Sequence, residues 1–186
     1  MPNVLVICGS LRKGSYNAML ARALPALAPD GMKLSAAPRV DTIPHYNHDD
    51  QEATGFPGSV TAFADAIRAA EGVIIVSPEY NWTIPGTLKN AIDWVSRMKE
   101  QPFKDKPVAL QSASGALLGG SRMQYHLRQC LTSIDAMIFG RPEVIVTFAP
   151  QKFDEATGEL KDQTTREMIK LQLAAFAKFI ERVGVK

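Results

Sequence analysis

Cysteine is scarce in this chain: Cys8 and Cys130 are the only two among 186 residues. They have no metal-ligand spacing, and they give no disulfide framework. Cys8 sits inside an apolar run, where it reads as a small buried hydrophobe rather than a nucleophile. A reduced, cytoplasmic setting is expected. An excess of one charge is also missing. The 21 basic and 19 acidic residues leave a formal net charge of +2. That balance argues against strong electrostatic binding to nucleic acid or to a membrane surface. Long apolar runs are absent, since none approaches the roughly 20 residues that span a bilayer. Residues 4–7 are too short an apolar segment, without preceding basic residues, for a signal peptide to be expected. There is no internal repeat and no low-complexity tract.

Two phosphate-binding signatures are missing as well. No Gly-x-Gly-x-x-Gly follows the first apolar run, so a dinucleotide-binding Rossmann unit loses its main support. No Gly-Lys-Ser/Thr closes the following loop, so a nucleoside-triphosphate loop is not indicated either. What the chain does have is ordinary globular composition, with 46% hydrophobic and 22% charged residues. Its length suits one domain, residues 1–186, with a sizeable core.

Short β-branched runs alternate with longer helical stretches. Strands are expected at residues 3–8, 33–36, 72–77, 107–112 and 141–146. Helices are expected at 15–27, 58–70, 87–98, 120–134 and 162–183. The run Val73-Ile74-Ile75-Val76 is continuously apolar, as suits a strand covered on both faces. The fold class is therefore α/β: a doubly wound, five-stranded parallel sheet with helices on both faces. Such sheets bind ligands beyond the carboxyl ends of their strands, which directs attention to the downstream loops. Residues 42–56 are the longest stretch without periodicity and read as a surface excursion.

Three loops carry candidate chemistry. The first follows strand one and contains Ser10, Arg12, Ser15, Tyr16 and Asn17. Hydroxyls, an amide, exposed N–H groups and a guanidinium at a helix start form an anion site suited to a phosphate monoester. Ser15 by itself reads as the helix cap. The second loop runs from Ser77 to Gly86 and contains Pro78, Glu79, Tyr80, Asn81 and Trp82. A proline-bounded, aromatic-rich turn makes a rigid wall, with backbone N–H groups for the polar edge of a planar ring. Trp94, on the following helix, reads as a packing residue. The third loop follows strand four, where Ser112 and Gly115 are placed to touch a ring edge. Gly119 and Gly120 read as a flexible connection. A phosphate pocket, an aromatic wall and a small-residue floor suit flavin mononucleotide (FMN) better than a free sugar phosphate.

His45, His48, Asp49 and Asp50 fit no strong ligand motif and read as a solvated loop, so no metal site is expected. Tyr125 and His126 read as helix or interface residues.

The segments 9–17 and 78–94 resemble the NADPH-dependent FMN reductase family, of flavodoxin-like fold, and within it the bacterial chromate and quinone reductases. The resemblance implies that Ser10, Arg12, Ser15, Tyr16 and Asn17 bind the FMN phosphate and ribityl chain. It implies that Pro78, Glu79, Tyr80 and Asn81 line the flavin ring, and that Ser112 and Gly115 close its other side. It further implies NADPH or NADH as electron donor, quinones and less specifically chromate as acceptors, and a ping-pong cycle. The chemistry would be borne by the flavin, with no side chain as catalytic acid or base. A homodimer or homotetramer is expected, with Glu79, Tyr80 and Arg97 near subunit contacts. Three other readings stay open at this level: a flavodoxin-like electron carrier, a reductase releasing reduced flavin, and a phosphate-binding regulatory domain.

Overall fold

The computed structural model describes residues 2–184. Strand β1 (Asn3–Cys8) leads through the first loop into α1 (Tyr16–Ala23), and β2 (Lys33–Ala36) follows. Helices α2 (His48–Thr54) and α3 (Gly58–Ala69) precede β3 (Gly72–Val76) and α4 (Gly86–Val95). The chain continues through β4 (Pro107–Ala113), α5 (Ser121–Thr132), β5 (Met137–Ile138), β6 (Val144–Val146) and α6 (Gln163–Val183).

All pairings are parallel, in the order β2-β1-β3-β4, with β5 and β6 both on the far side of β4. Alternate residues of each strand face opposite layers. Leu5, Ile7, Val73, Ile75 and Leu110 pack under α3, α4 and α5. Val4, Val6, Ile74, Val76 and Ala109 pack under α1 and α6. This two-sided burial explains why β3 reads as an unbroken apolar run: all five of its residues are buried. Each large side chain buried in these layers contributes roughly 1.5–3 kcal/mol.

The sheet has six strand segments rather than the five expected. The fifth position is shared: β5 pairs with Pro107 and Val108, and β6 pairs with Gln111, Ser112 and Ala113. After the Phe139 N–H donates to the Val108 carbonyl at 2.8 Å, residues 140–143 leave the ladder, and Pro142 has no N–H to contribute there. The expected strand at 141–146 therefore begins only at Val144. The first helix ends four residues early, at Ala23, because Pro25 cannot continue it and a short 3-10 turn follows.

The excursion at residues 42–56 is not wholly irregular. Asn47 caps α2 by accepting from the Asp49 N–H at 3.0 Å, and Asp49 and Asp50 sit in the first turn. No residue of α2 is buried, so no apolar period betrays it. The segment before it is pinned to α4. Trp94 Nε1 and Asn90 Nδ2 both donate to the Pro44 carbonyl at 2.8 Å, and Tyr46 meets Trp94 edge-on. Trp94 is thus a core residue.

Candidate functional site

The register places the candidate loops side by side. Cys8 pairs with Val76, and Val76 with Gln111, so β1, β3 and β4 deliver their chains to one edge. The strand order turns at β1 and β3, where a doubly wound sheet opens its ligand crevice.

At the end of β1, Gly9 donates to the Val76 carbonyl at 2.9 Å and lies against Ser77. A Cβ at Gly9 would approach Ser77 Oγ to 2.6 Å, so only glycine lets the loop leave here. Ser15 then caps α1, its hydroxyl accepting from Ala18 N at 3.3 Å. Among the described residues, the N–H groups of residues 10–14 donate to no protein acceptor. Arg12 lies over the same loop, donating to the Gly14 carbonyl at 2.8 Å. An open array of donors, a helix N-terminus without acidic residues and a guanidinium make an anion cradle.

Two residues predicted for this loop are engaged elsewhere. Asn17 is buried and exchanges two hydrogen bonds of 2.9 Å with the Ala113 backbone, clasping α1 to the end of β4. Tyr16 donates its hydroxyl to Glu155 and packs on Phe153, 5.8 Å between ring centroids. That hydrogen bond holds the phenol proton and raises the Tyr16 pKa. The segment after β6 thereby borders the phosphate loop, a neighbour that sequence spacing does not reveal.

After β3, Tyr80 and Thr83 exchange two backbone hydrogen bonds of 3.0 Å around Asn81 and Trp82. Both central residues have positive φ, 48° and 70°. This is a tight reversal held against backbone preference. Helix α5 holds it. Glu79 accepts from Met123 N at 3.1 Å, Arg122 lies 3.8 Å from the Trp82 ring centroid, and His126 meets Thr83 Oγ1 at 2.9 Å. The Glu79 carboxylate thus faces α5, leaving the Pro78–Asn81 backbone and the half-exposed Tyr80 ring at the crevice.

After β4, Ser112 is fully buried and accepts from Gln124 Nε2 at 2.8 Å, so its hydroxyl braces the loop from inside. Gly115 is exposed, with only Pro150 near the position of a Cβ, at 3.6 Å. Gly119 and Gly120 are not a flexible connection. Both have positive φ, and added Cβ atoms would fall 2.6 Å from Ile145 and 2.8 Å from Ser112. They are the close-packed turn into α5.

Sequence reading missed Phe148, exposed at the end of β6 with φ 50°. With Leu11, Tyr80, Trp82 and Leu117 it leaves apolar area along the carboxyl edge. It also missed Gln124 and Gln172, buried on the apolar faces of α5 and α6. Gln172 accepts from Gln111 Nε2 at 2.8 Å, and Gln124 also donates to the Val144 carbonyl at 2.9 Å. A glutamine in phase with Met123 and Leu127 was the available signal. His48, Asp49 and Asp50 lie in α2, and among the described residues no group of three or more His, Cys, Asp or Glu can hold a metal. Among the described residues, no helix is long and apolar enough to cross a membrane.

An anion cradle, an aromatic turn and a small-residue loop at the switch point of a 2-1-3-4-5 sheet define a flavodoxin-like nucleotide-binding protein. The residues fit FMN: free N–H donors and Arg12 for its phosphate, and a flat apolar edge for its ring. The chain belongs to the NADPH-dependent FMN reductase family, whose description matches residues 2–151. A quinone reductase of Escherichia coli is 50% identical over 182 residues, covering 98% of this chain and 97% of that protein. An NAD(P)H-dependent FMN reductase of Pseudomonas aeruginosa is 45% identical, covering 97% and 96%. Among solved structures, the flavoenzyme FerB, an NAD(P)H:(acceptor) oxidoreductase from Paracoccus denitrificans, superposes with a TM-score of 0.89. It is 31% identical, with full coverage of both chains.

Proposed function

We propose that this chain is a single-domain, FMN-dependent NAD(P)H oxidoreductase that passes electrons to quinones by a ping-pong cycle. The observation that carries the reading is the open array of N–H groups at residues 10–14, in register with the aromatic turn after β3. Bound FMN would supply the chemistry, accepting hydride and passing electrons on.

The protein's part is to hold and orient. Ser10, Arg12 and Ser15 face the phosphate, the cation adding a charge-assisted bond. Tyr16 closes the loop toward the segment after β6. Asn17 and Ser112 act from behind: their side chains are buried and fix the backbone that meets the ligand. Glu79 and Asn81 present backbone N–H groups to the ring and Tyr80 a flat exposed face, while Pro78 fixes the bend before them. Gly115 lets the loop after β4 approach the ring's other edge. No side chain serves as acid or base. Nicotinamide and then quinone would occupy the same exposed ring face in turn, with chromate as a less specific oxidant. A homodimer or homotetramer is proposed, because the aromatic side chains of Tyr80, Trp82 and Tyr125 are exposed. A cytoplasmic location accords with two unpaired cysteines.

The test is anaerobic reduction of the FMN-loaded protein by NADH and by NADPH, followed by reoxidation with quinones, free flavin and chromate. Stoichiometric bleaching of the flavin spectrum and fast recovery with quinone are expected. A colourless protein that never takes up FMN would overturn the proposal. One that turns over only with a separate reductase would be an electron carrier.

A further inference from the structure

A groove of about 450 Å³ opens beside the phosphate loop, on the side away from the aromatic turn. It runs between α1, the carboxyl ends of β1 and β2, and the segment after β2. Ser10 and Leu11 line it, so it shares a rim with the anion cradle. Its volume lies within the range of small-molecule sites. Its walls are mostly apolar, with Pro25 and Pro38 among them, and offer flat area to a planar base.

Two arginines line the groove from opposite walls, Arg22 from α1, with its Nη2 beside Gly158, and Arg39 from beyond β2. Arg39 holds Asp41 through two bonds, at 2.9 and 2.5 Å. Arg22 has no acidic partner among the described residues, so the groove carries a cation without a counter-ion. Burial raises the pKa of Cys8 on the floor, opposed by its hydrogen bond to the Ser10 carbonyl and more weakly by the charges of Arg22 and Arg39.

The sheet order fixes the distance to the ring site. The groove lies at β2 and β1, and the loops proposed to hold the ring follow β3 and β4. That is an offset of two strands, about 10 Å at the usual spacing. An extended dinucleotide with its nicotinamide at the aromatic turn spans that offset.

We propose that this groove takes the adenosine phosphate half of the nicotinamide dinucleotide, with the base on its apolar wall and a phosphate at Arg22 and Arg39. The proposal rests on the reading of the site as an NAD(P)H oxidoreductase. It assigns Arg22 and Arg39 to donor binding, apart from the FMN cradle.

The experiment titrates the FMN-loaded protein with 2′,5′-ADP by calorimetry, in wild type, Arg22→Ala and Ala36→Trp, and measures the NADPH KM of each. Arg22→Ala should weaken 2′,5′-ADP binding and raise the NADPH KM, each about tenfold, the scale of one lost charged hydrogen bond. The effect falls on KM rather than kcat, and flavin content is retained. Ala36→Trp fills the groove and should act in the same direction. Wild-type protein that ignores 2′,5′-ADP would overturn the proposal, as would variants that bind it normally. Loss of 2′,5′-ADP binding with an unchanged NADPH KM would mean a separate nucleotide site and would also overturn it. Absence of any NAD(P)H oxidation would instead count against the functional reading, while calorimetry still reports on the groove.

Discussion

Asn17 and Ala113, 96 residues apart, exchange two hydrogen bonds: Asn17 Nδ2 donates to the Ala113 carbonyl and the Ala113 N–H to Asn17 Oδ1, each at 2.9 Å. One buried amide thereby ties the first turn of α1, and the phosphate loop before it, to the end of β4. Asn17→Ala leaves a buried donor and a buried acceptor without partners. Unfolding in urea should show a loss of about 3 kcal/mol, from roughly 1–3 kcal/mol for each orphaned group. FMN affinity should fall with it, because the amide holds the start of α1 and the loop before it against β4.

Gly9 packs where no side chain fits. Gly9→Ala places a Cβ 2.6 Å from Ser77 Oγ and 3.0 Å from Leu88 Cδ2. A loss of roughly 1–3 kcal/mol is expected from overpacking. Adding Ser77→Gly should recover part of it. Strict additivity of the two changes in a double-mutant cycle would refute the contact.

Arg12 is the cation of the cradle. Arg12→Ala should weaken FMN binding by about tenfold or more, read from quenching of flavin fluorescence on titration. Thermal stability of the flavin-free protein should stay within about 0.5 kcal/mol, because Arg12 is exposed and bonds only within its own loop. Unchanged flavin affinity would remove Arg12 from the site.

Asn81 holds φ 48° in the turn after β3. Asparagine tolerates this region and alanine does not, so Asn81→Ala should cost about 1 kcal/mol. Asn81→Gly should be neutral or stabilising. Thermal melts of the two variants, side by side, give the sign.

Asp162 caps α6, accepting from Thr165 Oγ1 at 2.5 Å and Thr165 N at 2.8 Å. The Thr165 hydroxyl, then its N–H, hold the Asp162 pKa below the usual carboxylate value. A depressed folded pKa gives stability that is present above the unfolded value, near 3.9, and lost as pH falls through the folded one. Asp162→Ala should cost about 1 kcal/mol at pH 7. The difference from wild type should shrink as pH falls below about 4. Urea midpoints at pH 7 and pH 3 check both the size and the sign.

Much of this was legible in the chain. Continuous apolar runs such as Val73–Val76 announced strands covered on both faces, and the loops after them announced the crevice. Helix α2 went unread although Asn47, Asp49 and Asp50 mark its start, because an all-exposed helix has no apolar period to detect. The split fifth strand was hidden by brevity, since two- and three-residue segments carry no pattern of their own. Phe148 and Glu155 reach the site from a stretch with no motif.

The sequence by itself determined the local character of the loops that follow the strands. Gly9, the polar run to Asn17 and the Pro78–Gly86 turn state their local needs through residue type: no Cβ, exposed donors, rigid bends. Only the tertiary structure decided what each side chain does there. Asn17 and Ser112 have the chemistry of ligand contacts but are drawn inside by partners far along the chain. Glu79 turns away to an α5 N–H 44 residues on. A hydrogen bond depends on distance in space, and sequence spacing fixes that distance only within a turn or two.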